Sequence, residues 1–348
     1  MSRAGRLAAQ WWKWLKWPVG LGILLWLYTS NSESLERVFR APKNWGDLAL
    51  AFVLILVSTL LTFARWFLLV RAQGFAFRFR DALRYGFAGL VANYVMPGSV
   101  GGDLFKAVLL ARDQTSRRAV AVATVLLDRI LGLLALFMVA VIATLMPHDF
   151  PESPAVTNNT RALWIGTAAG LAGLVFLLLP ATTRWGWVQR LPRLPLVGRI
   201  VGELIHGVQL YQSKPAAVIG ALALSLAGHA GLIAGFYLCA RVIEQPWIPD
   251  LTGHFYFMPT AELFGVVVAT PAGVGPLEYA VSQAYVWLKP ESVDAGEAKA
   301  AGLAAMVVFR VVQFAVAAIG GVYFFVSRRE ISAAMEEASH LDDREIAN

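Results

Sequence analysis

The chain has 348 residues, of which 57% are hydrophobic and 15% are charged, and its formal net charge is +7. A soluble domain carries about 25% charged residues, so the composition excludes an ordinary soluble enzyme. Apolar runs of about 20 residues are long enough to cross a bilayer core, and their lack of alternating polarity excludes a membrane β-barrel. The sequence predicts an all-α polytopic membrane protein whose basic loop residues orient the chain in the membrane and bind no nucleic acid.

Residues 1–47 form the first predicted element, an N-terminal anchor helix followed by an outer loop. Its apolar run at 17–30 follows a basic start, as in a signal peptide, but no small-residue cleavage site comes after it. Tryptophans at the start of this run are typical of an interfacial belt: Trp11, Trp12, Trp14 and Trp17. We therefore predict an uncleaved first span with the N terminus in the cytoplasm.

Five further apolar stretches are long enough to be full transmembrane helices. They lie at about 48–70, 119–146, 161–180, 215–240 and 299–326. The region 147–214 thus holds a linking helix and then a cytoplasmic segment whose Trp, Arg and apolar spacing favours an amphipathic interfacial helix. An acidic cytoplasmic tail is predicted at 327–348.

Two more apolar stretches, 82–111 and 255–288, are interrupted by proline and glycine in NYVMPGSVGGDLFKA and VVATPAGVGPLEYAV. Each half is too short to span the membrane alone, so each stretch is either one kinked span or a re-entrant helical hairpin. Treating both as re-entrant places most of the loop arginines and lysines on one side, as the positive-inside rule favours. We therefore predict six full transmembrane helices and two re-entrant hairpins, with both termini in the cytoplasm.

The order span, hairpin, span occurs twice, at 48–146 and at 215–326, in opposite orientations. The hairpin of the first unit is predicted to face the cytoplasm, and that of the second to face outward. Inverted-topology repeats with broken helices near the midplane are typical of transport proteins.

Several ionisable residues fall inside the predicted membrane region. A charge there costs about 2.5–3.5 kcal/mol, so these side chains require partners or water, and they are functional candidates. A rise of 1.5 Å per residue puts Arg129 and Arg310, one in the last span of each unit, near the midplane. Pairing of the carboxylates with helix N-termini and arginines for structure alone is the alternative, and Ser225, His229 and Gln313 fit helix–helix hydrogen bonding. The candidates are Arg65, Asp103, Lys106, Asp128, Arg129, Glu262, Glu278 and Arg310.

Each hairpin tip opens a helix N-terminus, whose free N–H groups and positive dipole end suit an anion such as phosphate. Lys106, one turn into the returning helix, adds positive charge. Glycines allow the backbone to approach a ligand closely, and they are Gly98, Gly101, Gly102, Gly273 and Gly275.

Three separated motifs resemble, in their order, the lysylphosphatidylglycerol synthase transmembrane-region family, also described as the flippase-like domain family. In that family the first motif runs N-x-x-x-P and then G-G-D-x-x-R. The second is D/E-R before a G-L run, and the third is P-x-G-x-G-x-x-E. Lys106 stands where the family usually has arginine, which affects bidentate headgroup contact, and 348 residues leave no room for a soluble aminoacyl-transferase domain. The matching positions are Asn93, Pro97, Gly101, Gly102, Asp103, Asp128, Arg129, Pro271, Gly273, Gly275 and Glu278.

The resemblance implies lipid translocation or a related role in envelope lipid handling, in the cytoplasmic (inner) membrane. The leading hypothesis is a flippase for a lipid with an anionic, phosphate-bearing headgroup, held in a cavity lined by the four basic candidates. The acidic candidates would reset the arginines or carry protons, since no nucleotide-binding motif supplies energy. A transporter of a soluble anion, an intramembrane enzyme and a scaffold for lipid-synthesis enzymes stay open as alternatives.

Neither a cofactor nor a metal is expected. The single cysteine, Cys239, and five scattered histidines form no ligand cluster. No complete catalytic motif is present, so the sequence favours a transport protein over an enzyme.

Overall fold

The computed structural model describes residues 42–95, 101–114, 117–193, 198–268 and 270–346, together with Leu25, Thr29, Glu36 and Arg40. Within these residues the chain is helical, apart from turns and an isolated β-bridge between Lys43 and Ile243. The helices are α1 Trp45–Ala72, α2 Phe79–Val95, α3 Gly101–Asp113, α4 Arg118–Leu145, α5 Pro154–Leu178, α6 Pro180–Arg184, α7 Gly198–Ser213, α8 Pro215–Arg241, α9 Leu251–Val268, α10 Pro276–Leu288 and α11 Ala295–Ile346. Two short 3-10 helices lie at Val188–Arg193 and Pro271–Gly273.

Five of the described helices are long and apolar enough to cross a membrane: α1, α4, α5, α8 and the Ala295–Tyr323 part of α11. They coincide with the five spans predicted after the first, so the chain is a multi-pass membrane protein. The predicted first span at 17–30 lies almost wholly outside the described residues, as does the tip of the first interrupted stretch at 96–100.

Helices α1 and α11 begin at side-chain caps that the sequence supplies. The Asn44 side chain accepts hydrogen bonds from the backbone N–H groups of Gly46 and Asp47 at the start of α1. Asp294 accepts one from Gly296 at the start of α11, and backbone hydrogen bonds of this kind lower the pKa of the Asp294 carboxyl. Such caps satisfy N–H groups that have no partner within the helix.

Helices α1 and α8 pack closely against each other. A Cβ atom added to Gly231 would lie 2.5 Å from Ser58 Oγ, and one added to Gly235 would lie 2.7 Å from Ile55 Cγ1. Small residues at such crossings let membrane helices approach without a side chain between their backbones.

The shorter helices form two packed pairs, α2 with α3 and α9 with α10. The second helix of each pair contacts the long helix that follows it, α3 with α4 and α10 with α11. The first helix of each pair contacts the long helix of the other half, α2 with α11 and α9 with α4. Because α2 also contacts the 3-10 helix Pro271–Gly273, the two interrupted stretches converge.

Candidate functional site: a buried chain of charged residues

The approach of α2 to α3 fixes the position of Asp103. A Cβ atom on Gly102 would lie 2.0 Å from the carbonyl oxygen of Gly89, so only glycine permits this contact. The Asn93 side chain accepts a hydrogen bond of 2.7 Å from the Gly102 N–H. Asp103 follows as the third residue of α3 and is buried beside α4.

Gly102→Ala is therefore expected to destabilise the protein by at least about 1–3 kcal/mol, the usual cost of forcing extra atoms into a packed site. The obstructing atom is backbone, so α2 and α3 would have to separate. Gly173→Ala is the matched control, since no atom lies within 4 Å of its added Cβ and alanine favours a helix by up to about 1 kcal/mol. Thermal unfolding in detergent compares the two, and a fully stable Gly102→Ala would contradict the described contact.

Arg65 and Asp128 form the most buried ion pair of the site. Arg65 Nε donates to Asp128 Oδ1 at 2.6 Å, and its Nη2 donates to Oδ2 at 2.8 Å. The remaining terminal nitrogen, Nη1, donates to Ser225 Oγ at 3.1 Å. These bonds join α1, α4 and α8 in a two-pronged geometry that arginine forms readily with a carboxylate.

Lys106 connects this pair to Asp103. Its Nζ lies 2.7 Å from Asp103 Oδ1 and 4.0 Å from Asp128 Oδ2. The ammonium also lies 5.3 Å from the centre of the Trp66 ring, at cation–π distance. Lys106 is therefore held between two carboxylates and one aromatic face.

Arg129 completes the chain of charges. Its Nε donates to Asp103 Oδ2, so Asp103 is bound by both Lys106 and Arg129. The Arg129 side chain is 40% exposed, whereas that of Asp103 is 10% exposed. We define the charge chain as Arg65, Asp128, Lys106, Asp103 and Arg129, in which positive and negative groups alternate from the interior to a partly open end.

A second ion pair lies at the other interrupted stretch. Glu278, the third residue of α10, accepts from Arg310 Nε at 2.7 Å through Oε1 and from the Gly275 N–H at 2.7 Å through Oε2. Arg310 also donates through Nη1 to the carbonyl oxygen of Ala272 at 2.9 Å and to Gln313 at 3.3 Å. One arginine therefore binds both the helix start and the turn that precedes it.

The turn before α10 has an unusual backbone. Ala272, Gly273 and Gly275 have φ values of 50°, 68° and 92°. Glycine adopts such values easily, but alanine does so rarely. The Arg310 bond to the Ala272 carbonyl helps to hold this conformation.

Arg310 retains one further donor. Its Nη2 is buried and has no hydrogen-bond partner among the described residues. A buried donor without an acceptor costs about 1–3 kcal/mol, so an oxygen atom of a bound group would be stabilised there.

The sequence matches the family described as the lysylphosphatidylglycerol synthase TM region over residues 13–321. The chain belongs to this family. The matched range includes both interrupted stretches, the charge chain and the Glu278–Arg310 pair. The predicted resemblance is thereby confirmed, and family membership supports a membrane role related to lipids. The comparison with curated proteins gives no match.

The remaining candidates lie around these two ion-paired groups. Glu262 is half-buried on α9, a helix that contacts α4, which carries Arg129. Gly101 begins α3, and Pro271 begins the 3-10 helix of the second stretch. The predicted residues Pro97 and Gly98 lie outside the described residues.

Sequence reasoning missed two contacts made by members of the charge chain. Trp66 forms the aromatic face beside Lys106, and its position next to Arg65 in the sequence was the available signal. Gly132 makes room for Arg65, since an added Cβ would lie 2.9 Å from Arg65 Nη1. Ser225, assigned to helix–helix hydrogen bonding, does bond across helices, but its partner is Arg65.

Proposed function

We propose that this member of the family is a lipid flippase that moves a lipid with an anionic, phosphate-bearing headgroup across the bilayer. The observation that carries the proposal is the charge chain, in which three buried or half-buried basic side chains, Arg65, Lys106 and Arg129, contact the carboxylates of Asp103 and Asp128. Arg129, at one end of the charge chain, is its most exposed basic group. An anionic oxygen at that end would be stabilised by both the guanidinium and the nearby start of α3.

A purely structural role explains this arrangement less well. Buried ion pairs are often no better for stability than apolar residues of similar volume, and a chain of five charges costs more than one pair. Ionisable residues within membrane helices usually mark a substrate path. Family membership favours a lipid as that substrate over a soluble anion.

The two halves of the chain support an inverted repeat with re-entrant hairpins. Asp103 and Glu278 are each the third residue of the second short helix, and each pairs with an arginine of the next long helix. Exchanging α1 to α4 with α8 to α11 reproduces the helix contacts, including the crossed pairs α2 with α11 and α9 with α4. Broken helices arranged in this way are typical of transporters.

The two arginines differ in exposure, with 40% for the Arg129 side chain and 12% for Arg310. In our proposal the headgroup enters at Arg129. A conformational change then encloses Arg129 and exposes Arg310, which presents the headgroup to the opposite leaflet. The acyl tails stay in the lipid throughout.

The test uses liposomes that contain the purified protein and a fluorescent lipid whose inner-leaflet fraction is read by dithionite quenching. We expect faster exchange of labelled phosphatidylglycerol than of zwitterionic phosphatidylcholine. Arg129→Ala should reduce exchange to the rate of protein-free liposomes. Arg199→Ala should leave it unchanged, because the Arg199 side chain is 86% exposed on α7.

Two outcomes would contradict the proposal. Equal rates for anionic, zwitterionic and protein-free samples would exclude flipping of these lipids. Release of trapped inorganic phosphate by the wild type, abolished in Arg129→Ala and without lipid exchange, would favour the soluble-anion alternative.

A further inference from the structure

A groove lies between the end of α5 and one face of α7. Its volume is about 230 Å³, below the roughly 300–1,000 Å³ of pockets that enclose a whole small ligand. The opposite wall holds three aromatic rings, in which the Trp185 ring centre lies 5.6 Å from that of Phe176 and 6.1 Å from that of Trp187. On α7 the wall is an apolar stripe with the spacing of a single helix face, and its residues are Val201, Leu204, Ile205 and Val208.

The two hydroxyl groups in the lining of the groove donate to other acceptors. Thr182 Oγ1 donates to the Leu179 carbonyl oxygen at 2.8 Å. Thr183 Oγ1 donates to Gln212 Oε1 at 2.9 Å. The groove therefore favours an apolar ligand, such as a hydrocarbon chain, over a polar one.

The groove lies at one end of the membrane helices. Lys214, directly before α8, donates through Nζ to the Ala72 carbonyl oxygen at the end of α1 at 3.0 Å. Gln212 Nε2 donates to the Leu177 carbonyl oxygen near the end of α5 at 3.0 Å. Two candidate spans thus end, and a third begins, beside α7. This level is the boundary between the hydrocarbon core and water, where exposed tryptophans are typical.

The groove also adjoins a surface that faces lipid. Helix α5 is the least buried of the five candidate spans. Val175 and Phe176, next to the groove, are 58% and 51% exposed. An acyl chain from the surrounding bilayer can therefore enter the groove without crossing a polar surface.

The 3-10 helix Val188–Arg193 is fixed beside the groove by its contact with the start of α7. A Cβ atom on Gly198 would lie 2.1 Å from the Pro192 carbonyl oxygen, so only glycine permits this approach. Val188 lines the groove, and the same short helix carries Arg190 and Arg193. Both arginines are therefore held at the edge of the groove.

Three arginines at this edge have no counter-charge among the residues that the structure describes. Arg184, Arg190 and Arg193 are exposed, and their side chains form no hydrogen bond or ion pair within the described part of the chain. Glu203, the single acidic residue between α5 and α8, is paired with Arg199 at 3.4 Å. The uncompensated charge favours an anion, and the guanidinium group matches the geometry of a phosphate.

We propose that this groove is a lipid site separate from the charge chain. It holds one acyl chain of an anionic phospholipid of the surrounding membrane, while the phosphate lies among Arg184, Arg190 and Arg193. A phospholipid fits better than a second protein copy, because an apolar groove open to lipid and an arginine-rich edge match an acyl chain joined to a phosphate. The inference is independent of the flippase proposal, since no residue of the charge chain contributes to the groove.

The test uses the full-length protein in detergent and phosphatidylglycerol with brominated acyl chains, which quench tryptophan fluorescence on contact. The signal of the groove is the quenching that a double variant, Trp185→Phe with Trp187→Phe, loses. We expect half-maximal quenching at a lower concentration of brominated phosphatidylglycerol than of brominated phosphatidylcholine. A triple variant should remove this preference, with about a fivefold weakening per arginine, and it combines Arg184→Ala, Arg190→Ala and Arg193→Ala.

Three single variants serve as controls. Leu204→Glu places a charge in the groove and should abolish the quenching of both tryptophans by either lipid. Arg161→Ala removes an exposed arginine near the start of α5, away from the groove, and should leave the quenching unchanged. Arg129→Ala should also leave it unchanged, so a failure of this inference is distinguishable from a failure of the flippase proposal.

Equal half-saturation for the two lipids in the wild type, or an unchanged preference in the triple variant, would overturn the inference. Absence of quenching at Trp185 and Trp187 by either lipid would also overturn it, and a dimer in light scattering that Leu204→Glu disperses would then identify a second copy as the occupant. If the triple variant fails to fold, the salt dependence of the wild type decides. Added salt should weaken quenching by phosphatidylglycerol but not by phosphatidylcholine, because exposed charges are screened, and a preference that ignores salt would contradict the role of the arginines.

Discussion

Asp128→Ala is expected to destabilise the protein by about 3–5 kcal/mol, because it leaves the Arg65 guanidinium buried without its carboxylate. The pair has 6% and 2% side-chain exposure, so water cannot replace the lost partner. Lys106, 4.0 Å from Asp128, would lose a second counter-charge. Unfolding in detergent with increasing denaturant, followed by tryptophan fluorescence, measures the loss.

A double variant distinguishes the free-energy cost of burying an unpaired charge from the cost of losing the Arg65–Asp128 contact itself. Arg65→Leu with Asp128→Leu removes both charges and should lie closer to the wild type in stability than Asp128→Ala, because apolar replacement of a buried pair is often neutral. Glu203→Ala breaks the surface Arg199–Glu203 pair instead, and a change below about 1 kcal/mol is expected. Wild-type stability in Asp128→Ala would show that the Arg65 charge is solvated by other means.

The ion pairs of the charge chain thus have different roles. Arg65 and Asp128 are fixed by paired bonds and by Ser225, which favours a structural anchor at the closed end. Arg129 shares Asp103 with Lys106 and is more exposed than Arg65, so a ligand can replace the Arg129–Asp103 hydrogen bond at a lower free-energy cost. The double Leu variant should therefore fold yet show altered lipid movement, since Lys106 would lose Asp128.

The long helices were predictable because apolar length is a local property of the sequence. Five predicted spans match the five candidate spans, and α10 lies within the second predicted interrupted stretch, 255–288. The ionisable candidates could also be identified from the sequence, because a charged residue within an apolar run is easy to recognise.

Partner choice was not predictable, because it depends on how helices distant in sequence pack. Arg65 reaches Asp128 across 63 positions and Ser225 across 160. Within the charge chain, the Asp103–Lys106 pair is the one with a local spacing that a sequence reveals. The left-handed conformation of Ala272 was equally hidden, since a donor from Arg310, 38 positions away, holds that turn.

Glu278→Ala is expected to abolish lipid exchange and to destabilise the protein, because Glu278 serves both Arg310 and the start of α10. The side chain accepts from the Gly275 N–H as well as from the guanidinium. Glu278→Gln keeps an acceptor for that N–H but removes the charge, so it should be more stable than Glu278→Ala by about 1 kcal/mol, the usual value of a helix cap. Unfolding in detergent compares the two variants.

The same glutamine variant tests whether the two halves act in sequence. Arg129 is the exposed arginine and Arg310 the enclosed one, so a headgroup that enters at Arg129 should still bind when Glu278 is neutral. Glu278→Gln should therefore retain wild-type affinity for dioctanoyl phosphatidylglycerol while its exchange rate falls to that of protein-free liposomes. Asp103→Asn alters the partner of Arg129, where the headgroup enters, and should weaken the binding of dioctanoyl phosphatidylglycerol. Equal loss of binding in both variants would contradict sequential use of the halves, because only a site shared by both acids would respond alike.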